Sequence, residues 1–401
     1  MDSQTSFHIR VNTSINEVKA VTWDRLAQVP AGGDAGYNPF VSHAFLSTLE
    51  DSGSAIAETG WLGQHLVLED DAGNALAALP CYLKNHSQGE YVFDHGWADA
   101  FYRAGGEYYP KLQCSMPFTP ATGPRFLTGD AQNRQALSFA LLNGLQQLTG
   151  RLGASSAHIT FMRPEEWNIA RDAGLLARTD RQFHWFNRDY DSFDAFLDAL
   201  SSRKRKNIRK ERKTALSVDG LEIEHLTGSA LNEAAWDAFF SFYMDTGSRK
   251  WGSPYLTRTF FSLISERMAD DILLVMAKRD GRYIAGALNF IGSDCLYGRH
   301  WGCTEDHPFL HFELCYYQAI DYAITHGLAR VEAGAQGEHK LARGYEPVTT
   351  HSAHYIANES LRRAVADYLQ SERHHVEMEQ EILRDHLPFR EGNYSGNDNK
   401  A

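Results

Sequence analysis

Apolar positions recur along the chain with two different periods, and each period predicts a different kind of element. Between Leu273 and Phe309, short runs rich in β-branched and aromatic residues are separated by turn residues such as Asp280-Gly281, which predicts an antiparallel meander. The next segment carries an apolar stripe at 3.6-residue spacing, which predicts a helix from Phe309 to Gly327. The stripe consists of Phe312, Tyr316, Ala319, Ile320, Ala323 and Ile324. Residues 329–336 should form a further strand, so this region reads β-β-β-α-β.

Helices are also predicted on either side of this region. Residues 191–200 contain a set of apolar side chains that would share one helix face. That set is Phe193, Phe196, Leu197 and Leu200. Residues 359–387 have the amphipathic pattern of one or two helices, and the polar residues 391–401 should form a frayed tail.

A repeat spanning about half of the chain is the most informative pattern. The stretches His65–Phe101 and Leu273–Phe309 share one order of features: an apolar strand, an acidic turn, a small-residue strand ending in Ala-Leu, an aromatic strand and a His/Trp/Gly group. The offset between them is 209 residues at the shared leucine and 205 at the shared histidine. One repeat of this length indicates two tandem copies of one fold, and chance similarity between hairpins is the alternative.

The repeat gives the predicted domain organisation. Residues 1–180 would form a first domain, residues 181–358 a second domain of the same fold, and residues 359–401 a helical extension with a tail. Strands interleaved with helices place the fold in the α/β (α+β) class, with mixed, mostly antiparallel sheets flanked by helices.

Composition supports a folded protein and limits its partners. The chain has 401 residues, 43% of them hydrophobic and 22% charged, which excludes disorder and collagen as the main state. Its 39 basic and 51 acidic side chains give a net charge of −12, so the molecule as a whole should repel DNA and anionic membranes. Any site that binds an anion must therefore depend on a local excess of basic residues.

Cysteine content and missing motifs exclude several classes of protein. Five scattered cysteines without a CxxC pair argue against a disulfide framework and a structural zinc site, and they fit a reducing cytoplasm. The N-terminus lacks a secretory signal, and no stretch approaches about 18 apolar residues, so a cytoplasmic protein without a membrane span is expected. The HExxH, GxGxxG, P-loop and GxSxG motifs are lacking, so no metal, dinucleotide, P-loop or serine-nucleophile site is expected. The oligomeric state is not determined by the sequence.

The segment from Arg203 to Lys213 is strongly basic. It contains eight basic residues and one acid, a local charge of +7 in an acidic protein. The density of like charge favours a phosphate or nucleic-acid contact, and an exposed basic helix is the structural alternative. The candidate anion contacts are Arg203, Lys206, Arg209 and Lys210.

Chemically reactive side chains also cluster in the motif Gly334–Pro347. The glycines allow close approach of a ligand to a loop that carries Glu338, His339, Lys340 and Arg343. Acyl transfer to an amine needs a proton acceptor and a donor that stabilises the oxyanion. Glu338 or His339 could accept the proton, while Lys340 could stabilise the oxyanion or bind a phosphate. A polar loop whose charges pair with each other is the alternative.

Two similar His/Trp groups are predicted at strand ends. Trp next to His can form a stacking wall beside a titratable group, although buried His–Trp contacts are also common in protein cores. The candidate substrate contacts in these groups are Asp94, His95, Trp97, Arg299, His300 and Trp301.

Taken together, these segments resemble a known family. Residues 201–213, 280–302, 311–328 and 334–347 resemble, in this order, the second half of the Fem-type peptidyltransferases. The similarity is closer to the FemAB-like predicted N-acyltransferases of the acetyltransferase (GNAT) superfamily and extends over residues 35–357. Further counterparts in that family are residues 38–50, 91–101, 108–124 and 251–261.

The resemblance implies two tandem GNAT-like folds that transfer an acyl or aminoacyl group to an amine without a metal or a covalent enzyme intermediate. It implies acyl-CoA or aminoacyl-tRNA as co-substrate, a peptidoglycan precursor or a small molecule as acceptor, and no permanently bound cofactor. It also places Lys340 at the active site, which we expect in the cleft between the two folds. Arg343 would be a second anion contact, and Trp97, His300 and Trp301 would form the walls.

One difference from the superfamily keeps an alternative open. CoA-dependent GNAT enzymes carry an [RQ]xxGx[GA] loop before the long helix, whereas this chain has Glu305 and Asp306 at that position. An acyl-CoA-dependent N-acetyltransferase would therefore need a different pyrophosphate cradle. Outside the enzymes, the alternative is a noncatalytic module that binds RNA or an anionic glycan through the basic segment.

Overall fold

A computed structural model describes residues 7–28, 36–250, 254–334 and 337–390, without the side chains of residues 247–250 and Glu338. Within this part of the chain, no helix has an apolar stretch that is long enough to cross a membrane. The predicted tail, residues 391–401, lies outside the described residues.

Contacts divide the chain into two compact units that are discontinuous in sequence. The first unit contains residues 1–180, 255–267 and 349–376, and the second contains residues 181–254, 268–348 and 377–401. Residues 255–267 and 349–376 belong to the first unit. The predicted contiguous domains instead placed residues 255–267 and 349–358 in the second domain and residues 359–376 in the helical extension. The two units are defined by packing contacts, which do not show whether the folds arose by duplication. The boundaries of two duplicated folds therefore stay a prediction.

The secondary structure alternates strands and helices along the whole described chain. Its first half contains β1 (His8–Asn12), α1 (Ala20–Ala27), α2 (His43–Asp51), β2 (Leu62–Gly63), β3 (His65–Glu69), β4 (Ala75–Leu79), β5 (Tyr82–Lys84), α3 (His95–Arg103), β6 (Lys111–Cys114), α4 (Arg134–Arg151), β7 (Ser156–Met162), α5 (Pro164–Asp172) and β8 (Leu176–Phe186). Its second half contains α6 (Phe193–Ala199), α7 (Ser202–Leu216), β9 (Leu221–Leu226), α8 (Glu233–Lys250), α9 (Arg258–Met268), β10 (Ile272–Arg279), β11 (Arg282–Ile291), β12 (Cys295–Cys303), α10 (Leu310–Phe312), α11 (Gln318–Thr325), β13 (Arg330–Glu332), β14 (Glu346–Ile356) and α12 (Glu359–Asp385).

The first unit contains two groups of paired strands. Strands β1, β3 and β4 form an antiparallel sheet, and a second group has the order β2-β5-β6-β7-β14. Within the second group β6 and β7 are parallel, and the other described pairs are antiparallel. Helix α4 places Leu141 and Leu145 in a core that also contains Leu66, Leu112 and Ile159, all of them fully buried. This core covers one face of the strands with apolar side chains.

The second unit is built around a sheet of order β8-β13-β12-β11-β10-β9. Strands β10, β11 and β12 form the predicted antiparallel meander, whereas β12 and β13 are parallel. The predicted helix after the meander is also confirmed: α10 and α11 are joined by one π-helical turn, Glu313–Tyr317, and Gly327 follows with a φ of +66°. The mixed α/β fold with mostly antiparallel sheets flanked by helices agrees with the predicted fold class.

One predicted strand is wrong. The aromatic segment before Trp97 contains no strand, and residues 95–103 instead form helix α3. The backbone carbonyl of Asp94 accepts from the amides of Trp97 (2.9 Å) and Ala98 (3.1 Å), which starts the helix. The Asp94 side chain is bound to Lys111 in the interior, so this segment turns inward instead of pairing along a sheet edge. The other predicted helices are confirmed as α6 and as the single long helix α12.

Candidate functional site

A cavity of about 140 Å³ opens in the second unit where two parallel strands separate. Strand β13 pairs with β12 only from Cys295 to Tyr297 and ends at Glu332, whereas β12 continues to Cys303. The free part of β12 therefore becomes a wall. The side chains and backbone around the cavity include those of Arg299, His300, Trp301, His311, Tyr316 and Ala333.

The predicted group Arg299-His300-Trp301 lies on this wall, within β12 near its C-terminal end. The ring of His300 contacts the ring of Tyr243, with centroids 5.0 Å apart. Burial, with a smaller contribution from the neighbouring Arg299, lowers the pKa of His300 to about 3. His300 is therefore a neutral wall residue near pH 7. The Trp301 ring lies edge to face with the His311 ring at 5.1 Å.

Lys340 lies on a short 3₁₀ helix, Glu338–Arg343, that follows Gly337 with its φ of +101°. Its side chain is buried, and Nζ donates to the backbone carbonyls of Ala333 (2.5 Å) and Gly334 (3.0 Å). Ala333 is itself a cavity residue, so the ammonium is anchored directly behind the cavity lining. Burial lowers the pKa of Lys340 to about 8. The site thus contains a desolvated amine that is still mostly charged at pH 7.

His339 contacts the helical segment that carries Tyr316 and Phe312. Its Nε2 lies 2.9 Å from the hydroxyl of Tyr316, and its ring lies 5.4 Å from the ring of Phe312. His339 is exposed to solvent, while Tyr316 is buried and lines the cavity. The pair therefore offers a hydrogen-bonded path from the cavity to solvent. The side chain of Glu338 lies outside the described residues.

Arg343 is held by contacts inside the second unit. Its Nη2 donates to Glu211 Oε2 (2.7 Å), its Nη1 donates to the backbone carbonyl of His339 (2.7 Å), and its guanidinium lies 3.5 Å from the centroid of the Phe312 ring. Glu211 also accepts from the Tyr317 hydroxyl. Because the Arg343 contact is made to the backbone beside Lys340, it fixes the 3₁₀ helix. The predicted contact of Arg343 with substrate stays a prediction.

The basic segment forms helix α7, and its charges divide into three groups. Glu211 and Arg212 point inward, since Arg212 pairs with Glu313 and Asp321 at 2.9 Å each. Arg205 and Arg209 each pair with an aspartate of α6 at 2.8 Å. Within the described chain, no carboxylate pairs with the remaining exposed residues of the helix. These residues are Arg203, Lys206, Lys210 and Lys213, which recur at helical spacing along one side.

The other predicted group lies in the first unit, at the start of α3. Asp94 is buried and accepts from Lys111 Nζ (2.5 Å) and from the Tyr108 hydroxyl (2.8 Å). Burial opposes ionisation of Asp94, but the Lys111 ammonium outweighs it and holds the pKa of Asp94 below its usual value. His95 is exposed, whereas Trp97 is buried with its ring edge-on to His354 at 5.0 Å. The structure therefore places the two predicted His/Trp groups in different units.

Several residues of the cavity region were missed by sequence reasoning. The sequence places Tyr316 on the apolar stripe of the predicted helix and His311 within the same helix without a role, and the π-helical turn that contains Tyr316 has no sequence signature. Glu211 did carry a signal, because it is the single acid within the basic segment. The structural reason for this isolated acid is its ion pair with Arg343.

Comparisons with known proteins agree with the resemblance noted in the sequence. A family model named FemAB-like, described as peptidoglycan biosynthesis/recognition, matches residues 14–391. A crystal structure of FemX is 14% identical and has a TM-score of 0.52, with 87% of this chain and 98% of that chain covered. A search of curated proteins finds no match.

Two further solved structures share the fold. One is the C-terminal domain (DUF2156) of a putative lysylphosphatidylglycerol synthetase from Agrobacterium fabrum, with 11% identity, a TM-score of 0.50, and 87% and 96% of the two chains covered. The other is a conserved protein of unknown function from Bacteroides thetaiotaomicron, with 12% identity, a TM-score of 0.50, and 88% and 100% covered. At these identities the similarity concerns the fold.

The geometry around Glu211 predicts that two ion pairs of helix α7 contribute differently to the free energy of unfolding. Glu211→Ala should lower the free energy of unfolding by about 2 kcal/mol, because it removes the carboxylate that accepts from both the buried Arg343 guanidinium and the Tyr317 hydroxyl. Asp198→Ala breaks the exposed pair with Arg205 and should cost less than about 1 kcal/mol. Urea unfolding of both variants measures the difference, and equal losses would contradict the anchoring role of Glu211.

Proposed function

Because the chain belongs to the FemAB-like family, we propose that it is an N-acyltransferase that passes an acyl or aminoacyl group to an amine. The cavity in front of Lys340 would be the place of transfer. The observation that carries this proposal is the anchoring of Lys340 by the carbonyls of Ala333 and Gly334 at the back of that cavity. The acceptor would be a peptidoglycan precursor, in line with the description of the family.

Lys340 is suited to stabilise the charge that develops during acyl transfer. An ammonium has three N–H donors, and the two backbone carbonyls occupy two of them. Among the described contacts of Lys340, the third donor is left for the oxyanion of the tetrahedral intermediate, where a positive charge in a desolvated site lowers the barrier most. A neutral lysine would lack this third donor, so the proposed role requires the protonated amine.

His339 would take the proton that the attacking amine must lose. The amine becomes acidic only after it has bonded to the acyl carbon, so the proton acceptor must be close to the cavity and connected to solvent. His339 is exposed and lies 2.9 Å from Tyr316, which lines the cavity. In this proposal Tyr316 relays the proton and His339 releases it to water. The transfer then proceeds by direct attack, without a covalent enzyme intermediate.

The donor would be acyl-CoA or an aminoacyl-tRNA, and both are anionic. Glu305, which precedes the helix where CoA-dependent relatives bind pyrophosphate, is paired with Arg279 (3.0 Å) and His307 (2.8 Å). Part of its negative charge is therefore balanced inside the protein. The exposed side of α7, with Arg203, Lys206 and Lys210, offers an additional contact for phosphates.

The same exposed side of α7 favours a second candidate function. A module that binds RNA or an anionic glycan would need an unpaired basic stripe, and no carboxylate of the described residues pairs with the exposed side of α7. Binding of this kind should weaken steeply with salt and should consume no acyl donor. Mass spectrometry of incubations with acetyl-CoA or alanyl-tRNA and an amine distinguishes the two functions, because only an acyltransferase releases an acylated amine. Small molecules retained by the purified protein identify the donor, since a retained thioester would select acyl-CoA.

Removal of the Lys340 ammonium should abolish most of the activity. Lys340→Ala is expected to lower turnover by about 10²-fold or more, since it removes a charge contact made in the transition state. Lys278→Ala removes a lysine of strand β10 that pairs with Glu224, and serves as the matched control with little expected change. Turnover is compared with circular dichroism and thermal unfolding of each variant. Full activity of folded Lys340→Ala would remove this residue from the mechanism.

The proposed charge state of Lys340 predicts a pH dependence. Because burial lowers the pKa of Lys340 to about 8, the ammonium is present below pH 8 and lost above it, so turnover should fall as the pH rises through 8. In Lys340→Arg the charge persists, and any residual activity should keep its level above pH 8. A turnover that increases above pH 8 would instead identify the neutral lysine as a base. Rate profiles from pH 6 to 10 separate these outcomes.

A further inference from the structure

A row of polar side chains lies in the interior of the first unit. Tyr82 on β5 is opposite Gln113 on β6, and Lys84 is opposite Lys111, so these four side chains share one face of the sheet. The row continues through parallel and antiparallel pairing to His158 on β7 and His354 on β14. All six residues are at most 2% exposed. A polar sheet face normally meets water, so its complete burial calls for an explanation.

A segment without helix or strand, residues 85–94, covers this face with two carboxylates. Lys111 Nζ donates to Glu90 Oε2 (2.7 Å), to Asp94 Oδ2 (2.5 Å) and to Ser87 Oγ (2.8 Å). The three donors of Lys111 are thereby used. Lys84 Nζ donates to the backbone carbonyl of Gln88 (2.9 Å) and lies 3.4 Å above the Trp61 ring.

The unused hydrogen-bonding capacity of this region is mainly that of acceptors. Within the described residues, Glu90 Oε1 and Asp94 Oδ1 have no hydrogen-bond donor although both atoms are buried. Lys84 Nζ lies 3.8 Å from Glu90 Oε1, which is beyond hydrogen-bond distance. A buried carboxylate oxygen without a donor is costly, and native proteins rarely keep two together.

Other buried atoms on the same sheet face also lack a partner among the described residues. The hydroxyl of Tyr82 and Nε2 of His354 are buried and have no partner within the described chain. Ser115 Oγ, one residue beyond the end of β6, is also buried and has no partner within the described residues. None of these atoms belongs to the acidic pair, so the unused capacity extends across the strands as well as along the covering segment.

We propose that this polar face is a ligand site, and that it takes a small molecule carrying a primary ammonium group. An ammonium supplies three donors and one positive charge, which match the two carboxylate oxygens without a donor and the unpartnered Tyr82 hydroxyl on the same sheet face. An anion would face Glu90 and Asp94 and is disfavoured. Burial raises the pKa of Glu90 to about 7, although the neighbouring Lys111 and Lys84 act in the opposite direction. The inference stands apart from acyl transfer and does not require it.

Ligand entry requires the covering segment to move, because the free oxygens are closed off from solvent. The segment carries Ser87, Glu90 and Asp94, so its displacement would open the acceptor atoms. Gly89 within it has a φ of +78°, and a Cβ at this position would lie 2.6 Å from the Phe118 ring. On ligand binding we expect slower amide hydrogen exchange in residues 85–94 than in the free protein.

The proposal is tested with the full-length chain and ethanolamine hydrochloride as probe. Ethylene glycol is the neutral control, and sodium chloride matches the ionic strength. Calorimetric titration should give saturable binding of ethanolammonium and none of ethylene glycol. Glu90→Gln, which keeps the shape but removes the charge, should weaken binding at least tenfold. Glu69→Gln removes a carboxylate that pairs with Arg10 on another sheet of the same unit, and should leave binding unchanged.

A second variant keeps the test decisive if Glu90→Gln fails to fold. Tyr82→Phe removes a hydroxyl that has no partner within the described residues, so the free protein should keep or slightly raise its melting temperature. The same change should weaken ethanolammonium binding several-fold. Unchanged affinity in Tyr82→Phe, or equal responses of the wild-type chain to ethanolammonium and ethylene glycol, would overturn the proposal. Loss of acyl transfer in any of these experiments has no bearing on it.

Discussion

The pairing of Glu211 with Arg343 is the interaction on which the candidate site of the second unit depends. Arg343 binds the carboxylate through one nitrogen and the carbonyl of His339 through another, so helix α7 and the 3₁₀ helix that carries Lys340 are joined. Tyr317 donates to the same carboxylate, and Arg212 on the next position of α7 binds Glu313 in the π-helical turn. The cavity is thus defined by strands, but the reactive side chains around it are positioned by buried charge.

Buried charge is used in two different ways in this protein. In the second unit, no carboxylate of the described residues pairs with Lys340, and two backbone carbonyls accept from its Nζ behind the cavity lining. In the first unit, Lys111 is surrounded by Glu90 and Asp94, and no cavity-lining residue takes part among the described contacts. The first arrangement leaves the positive charge of Lys340 directly behind the cavity lining. In the first unit, the donors of Lys111 are used within the protein, and two carboxylate oxygens remain without a donor among the described residues. For this reason we assign a cationic ligand to that site.

Local patterns were sufficient for much of the second unit. The meander, the helix after it and the short helix α6 follow from apolar spacing and turn residues, because each is stabilised by contacts close in sequence. The same reasoning was wrong for the aromatic segment before Trp97. Its residues have strand propensity, but Lys111 draws Asp94 into the interior and helix α3 begins there. The local sequence pattern cannot predict the effect of Lys111, because this lysine is 17 residues away from Asp94.

By itself, the sequence determined the fold class, the family resemblance and the presence of reactive side chains at Glu338, His339 and Lys340. Only the tertiary structure decided which charges face inward. Glu211 and Arg212 are adjacent members of one basic segment, yet both are anchored to distant elements, while Lys206 and Lys210 remain exposed. It also decided that Arg299, His300 and Trp301 line a cavity, because the early end of β13 frees one side of β12. Burial and partner choice depend on residues brought together by folding, and composition and spacing carry no record of them.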